Sequence, residues 1–85
     1  METRIEEKWT PDRLKKLRKN LGICRGHRVS QEYLARECGV SGFTAGSWER
    51  GHTEPAFYNA IANLLRLERE VLEQFADRDV GKFTA

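Results

Sequence analysis

No apolar run in this chain of 85 residues approaches the ~20 that cross a bilayer, so no membrane helix is expected. The amino-terminal stretch METRIEEK is charged from its second residue and lacks the apolar segment that exports a chain. Cysteine is scarce: Cys24 and Cys38 cannot make a dense disulfide framework, and both are expected to be thiols in a reducing compartment. The expected location is the cytoplasm. Also missing are a Ser, His and acid constellation, paired catalytic carboxylates and a glycine-rich phosphate loop, which argues against an enzyme and implies no cofactor. Cys24, His27, Cys38 and His52 invite a zinc reading. Only the first two lie close together, and Cys38 falls on an apolar helix face where a thiol acts as a small hydrophobe, so no metal is expected.

Acidic residues are absent from one long stretch. Between Arg13 and Arg28 stand seven cations (Arg13, Lys15, Lys16, Arg18, Lys19, Arg25 and Arg28) and neither Asp nor Glu. From Arg66 to Asp79, five acids face three arginines. The net charge of +2 therefore hides an asymmetry that either turns one end toward a polyanion or simply keeps a helix face solvated. A hydrophobic share of 39% beside 33% charged residues fits a soluble globular chain. Its length allows a single compact core, without room for a ligand-sensing domain.

The apolar spacing is helical throughout. WTPDRLKKLRKNLG, residues 9 to 22, starts with Thr10 as N-cap, Pro11 in the first turn and a Trp9–Leu14 staple; Leu14, Leu17 and Leu21 form its stripe, and Gly22 is expected to close it. SQEYLAREC, residues 30 to 38, is capped by Ser30 and buries Leu34, Ala35 and Cys38. Gly39 supplies the positive φ of a tight turn, Ser41 caps a third helix with Ala45 and Trp48 inward, and Gly51 ends it. A fourth helix is expected from about Ala56 to Leu67, with Phe57, Tyr58, Ile61, Leu64 and Leu65 on the core side. A fifth is expected from about Glu68 to Ala76.

Gln31, Leu34, Ala35, Gly39, Val40, Ala45 and Trp48, closed by ERG, stand in a pattern that resembles the helix-turn-helix of the lambda-repressor-like family, of the Cro/CI or xenobiotic-response-element type. The likeness runs over roughly residues 10 to 75, and SQ..LA...GVS followed by WERG is its specific part. It implies an all-α, compact five-helix DNA-binding domain over 9–76, between a flexible arm at 1–8 and a tail at 77–85. It further implies a buried salt bridge between Arg18 and Glu49, and Gln31 on a phosphate at the start of the second helix. The recognition helix, capped by Ser41, would present Gly42, Phe43, Gly46 and Ser47 to the major groove, with Ser41, Thr44 and Arg50 also among its DNA contacts.

Two of those positions carry no side chain. Gly42 and Gly46 lie four apart on one helix face, and each costs ~1 kcal/mol relative to alanine. Either the bare strip lets the helix dock more deeply, with Phe43 on a thymine methyl and Thr44 or Ser47 hydrogen-bonding nearby, or specificity comes from DNA shape and phosphates. Phe43 could equally fill a core gap or join a protein interface. Where the family passes between its first two helices through one residue, this chain has ICRGHRV. Val29 or Ile23 would then take the core place, and Arg25 and Arg28 would either clamp phosphates or lie solvated in an exposed loop.

The resemblance points to a transcriptional regulator, a repressor in the first instance, acting as a homodimer on a palindromic double-stranded operator. Recognition helices would sit ~34 Å apart. Val71, Leu72 and Phe75, with Val80 and Phe83, are the expected self-association surface. The competing reading is an antitoxin-like or other interaction protein that uses the same fold to bind a protein partner.

Overall fold

The computed structural model describes residues 8–76, which form α1 (Pro11–Arg25), α2 (Gln31–Cys38), α3 (Gly42–Arg50) and α4 (Tyr58–Ala76). No strand occurs among the described residues. The architecture is all-α with four helices rather than five, because the expected break at Leu67 and Glu68 does not exist. Ala60, Leu64, Leu67, Val71 and Phe75 are all buried and run as one continuous stripe across that point. No glycine, proline or capping side chain interrupts it.

Each of the first three helices begins with the same device. The hydroxyls of Thr10, Ser30 and Ser41 accept from the backbone N–H groups of Arg13, Tyr33 and Thr44, respectively. Such a cap is worth ~1 kcal/mol, which matters for helices as short as α2 and α3. At the other end α1 runs past Gly22, where termination was expected, and stops at Gly26, whose φ of 76° is the left-handed conformation that glycine adopts without strain. Gly22 is needed for a different reason. A side chain there would meet the backbone oxygen of His27 at 3.0 Å, because the loop folds back over the helix. Much of the expected insertion is thus one further helical turn, leaving a connection of five residues, Gly26 to Ser30.

The core gathers Trp9, the Leu14, Leu17 and Leu21 stripe of α1, and Leu34, Ala35 and Cys38 of α2. Ala45 and Trp48 of α3 and the α4 stripe complete it. Val29, not Ile23, fills the place between α1 and α2; Ile23 is exposed. Full burial of each large apolar side chain contributes ~1.5 to 3 kcal/mol. Phe57 and Tyr58, expected on the core side, are exposed, and so is Leu65, while Ile61 is half-buried. The cause is phase: with Ala60 and Leu64 inward, Tyr58 lies two positions, or ~200°, around the helix. Burial pushes the Cys38 thiol up to about 11, so it remains neutral and acts as an apolar filler.

No helix of the described residues is long and apolar enough to cross a membrane. Nor do three His, Cys, Asp or Glu side chains gather among them where a metal could be held.

Candidate nucleic-acid interface

Helices α2 and α3 pack through Leu34, Ala35, Ala45 and Trp48, joined by a turn in which Gly39 has a φ of 78°. Ala35 and Ala45 are small enough to let the two backbones approach. Ala45 to Glu49 are all buried, so α3 looks outward only at its two ends, through Phe43 and Arg50. Phe43 in its first turn is 79% exposed. Arg50 and Ser41 are exposed and Thr44 is half-buried. The Ser41 and Thr44 hydroxyl oxygens lie 3.0 Å apart. Ser47, expected to face a groove, is instead buried, and its oxygen accepts from the Thr53 hydroxyl at 3.0 Å.

The far end of α3 is anchored to α1. Arg18 Nε and Nη2 donate to the two carboxylate oxygens of Glu49 at 2.6 and 2.8 Å, while Nη1 donates to the Val29 carbonyl at 3.1 Å. The Glu49 side chain is only 2% exposed. Hydrogen bonding to that carboxylate raises the Arg18 pKa and so holds the guanidinium charged. Gln31 completes the cluster, donating from Nε2 to Glu49 Oε1 at 3.2 Å. An amide nitrogen carries two hydrogens, so this bond uses one donor of Gln31.

The two glycines of α3 do not form a bare strip. A Cβ on Gly42 would lie 2.9 Å from Cγ of Glu32, and one on Gly46 would lie 3.1 Å from both Gln31 Oε1 and Arg50 Nη1. The strip expected to lie bare against DNA is occupied by the first two side chains of α2 and by Arg50. Glycine at these positions makes a slot in which Gln31 and Glu32 lie across the outward side of α3. Nothing in the spacing could have indicated this, because the slot depends on how α2 crosses α3.

Arg25 and Arg28 part company. Arg25 donates from Nε and Nη2 to the Glu70 carboxylate at 3.0 and 2.7 Å, and from Nη1 to the Tyr33 hydroxyl at 2.9 Å. Glu37 stands 3.4 Å away. Its guanidinium holds the Glu70 carboxyl below the usual carboxylate range. Arg25 is thus a clasp joining the end of α1 to α2 and α4, and its donors are committed within the chain rather than offered to phosphates. Arg28 is exposed. With Lys15, Arg18, Lys19 and His27 it lines an open groove of about 550 Å³ that reaches Ile23 and Val29. Lys15 and Lys19, one helical turn apart, were singled out by the sequence only as members of the acid-free run.

Of the expected self-association residues, Val71 and Phe75 are core and therefore unavailable, whereas Leu72 is 66% exposed. Val80 and Phe83 lie outside the described residues, as do the tail at 77–85 and most of the amino-terminal arm.

Comparison of the chain with protein-family models, with curated proteins and with solved structures gives no match.

Proposed function

We propose that this chain is a sequence-specific double-stranded DNA-binding protein of lambda-repressor-like type, a transcriptional regulator that acts as a symmetric pair on a palindromic site. The observation that carries the reading is that α3 exposes Phe43 in its first turn, while the groove walled by Lys15, Lys19 and Arg28 also holds Arg18, which is bonded to Glu49 at the other end of α3. A reading element next to a row of cations is what duplex recognition needs: phosphate contacts set register and base contacts supply sequence.

In this reading the outward side of α3 enters the major groove as a composite surface. Phe43 packs on a thymine methyl, and Thr44 and Arg50 offer polar contacts to bases or the adjoining backbone. Gln31, held by Glu49, directs its remaining amide hydrogen to a phosphate at the start of α2, where the helix terminus already favours an anion. The Glu32 carboxylate, lying against Gly42, is suited to accept from a cytosine amine. Lys15, Lys19 and Arg28 neutralise the neighbouring strand.

Selection from a random duplex pool at two salt concentrations tests this. An enriched motif is expected, and a Lys15→Ala, Lys19→Ala, Arg28→Ala variant should reduce the slope of log affinity against log salt by up to ~0.9 per lost phosphate contact. Absence of enrichment removes sequence specificity, and an unchanged slope removes the phosphate assignment. The exposed aromatics Phe43, Phe57 and Tyr58 favour a second reading, an antitoxin-like module for a protein partner. Co-purification of a second small protein, together with loss of its binding in Phe57→Ala, Tyr58→Ala, would support it.

A further inference from the structure

Helix α4 carries two stripes. One is the core stripe already described. The other comprises Tyr58, Ala62, Leu65, Arg69, Leu72 and Ala76, spaced alternately by four and three residues, and every member is exposed. Tyr58 is 82% exposed and Leu65 39%. Helical geometry puts these six on one face, opposite the core, along a ~28 Å helix. This alternation is the spacing of a helix seam that packs against another helix, yet nothing in the described chain covers it.

The order of sizes along the stripe is informative. Large side chains (Tyr58, Leu65, Leu72) alternate with Ala62, Arg69 and Ala76. In a parallel pair, like would meet like, leaving alanine against alanine and the Arg69 charges in one layer, where they repel. In an antiparallel pair centred on Leu67, Tyr58 meets the partner's Ala76, Ala62 meets the partner's Leu72, and Leu65 meets the partner's Arg69. Each large side chain then faces a small one or the aliphatic stem of an arginine, as interlocking surfaces require. A two-fold axis between the two helices, level with Leu67, makes the face complementary to itself.

From this self-complementarity we infer that the occupant of the outer α4 face is a second copy of this chain, bound antiparallel through Tyr58, Leu65 and Leu72. The inference rests on the pairing part of the proposed function and not on its DNA part. Six side chains on each protomer make a small contact, at the lower edge of specific interfaces, so association should be of micromolar strength.

Sedimentation equilibrium on the full chain without DNA tests it. A reversible monomer–dimer equilibrium is expected. Leu65→Lys, Leu72→Lys should raise Kd by at least ~30-fold with unchanged helical circular dichroism, and Arg69→Leu should tighten it several-fold by removing a charge from the seam. A chain that stays monomeric to millimolar concentration overturns both the pairing and this interface, and leaves the tail or a foreign partner as the cover of α4. A dimer indifferent to the double substitution overturns the interface while pairing stands. Duplex binding, measured separately on the monomeric variant, keeps the DNA reading apart from either result.

Discussion

Replacing Gly46 with alanine sets two effects of similar size against each other. Alanine is favoured over glycine in a helix interior by ~1 kcal/mol. Against that, the new Cβ would lie 3.1 Å from Gln31 Oε1 and 3.1 Å from Arg50 Nη1, closer than ordinary van der Waals contact, so both side chains must yield by a few tenths of an ångström. Arg50 is exposed and can move at almost no cost. Gln31 is tied to Glu49 by a long bond of 3.2 Å, whose weakening should cost ~0.5 kcal/mol. The net expectation is a gain of about 0.5 kcal/mol, or a rise in Tm of ~2 to 4 °C for a domain of this size. In a Gln31→Ala background the steric opposition is gone, and the same substitution should recover nearly the whole ~1 kcal/mol, a coupling that a double-mutant cycle isolates. Thermal and urea unfolding of the four proteins measure it. On the proposed DNA reading, duplex affinity should fall several-fold in Gly46→Ala even as stability rises, because the displaced Gln31 amide would no longer meet a phosphate. A drop in Tm of more than ~5 °C would refute the premise that only flexible side-chain ends fill the slot. A stabilised protein with undiminished duplex affinity would remove Gln31 from the reading surface.

Two further perturbations separate the charged contacts. Arg18→Ala should cost ~3 to 5 kcal/mol by stranding the buried Glu49 carboxylate, whereas Arg18→Met combined with Glu49→Leu should cost clearly less; urea unfolding that ranks the double variant below the single one contradicts this. Because the folded-state pKa of Glu70 is depressed by Arg25, its contribution is present above the unfolded carboxyl value of ~4.3 and is lost as pH falls through the lower folded value. Urea midpoints taken from pH 6 down to pH 3 should therefore decline less steeply in Glu70→Gln than in the parent, and parallel declines would show that the clasp contributes nothing.

What the sequence disclosed best was local. Thr10, Ser30 and Ser41 announce helix starts because a capping hydroxyl acts on a backbone group three residues away, and Gly39 announces a turn because few other residues tolerate its φ. Leu14, Leu17 and Leu21 mark a buried face for the same reason of short range. Gly22 misled because a glycine can serve either a stop or a close approach, and only the path of the loop over it distinguishes them. The helix start expected at Glu68 does not exist; Glu68 accepts from Arg13 at 2.7 Å and Glu70 accepts from Arg25. Their acidity answers to cations more than forty residues away in the chain. The positions of Arg25 and of the slot above Gly42 and Gly46 are likewise products of tertiary crossing, which no window of neighbouring residues contains.

Helix α3 has nine residues, two of them interior or near-terminal glycines, and a peptide of that length and composition would be almost entirely unwound in water. Its shape is maintained by what it packs against: its own Trp48 indole is sunk into the core and the Arg18 fork grips Glu49 at its end. Competence to engage a ligand through this element is therefore inseparable from global cooperativity. Warming, denaturant or a distant core lesion such as Leu64→Ala should deplete the active fraction in step with the folded fraction, with no intermediate in which the scaffold persists while its reader has melted.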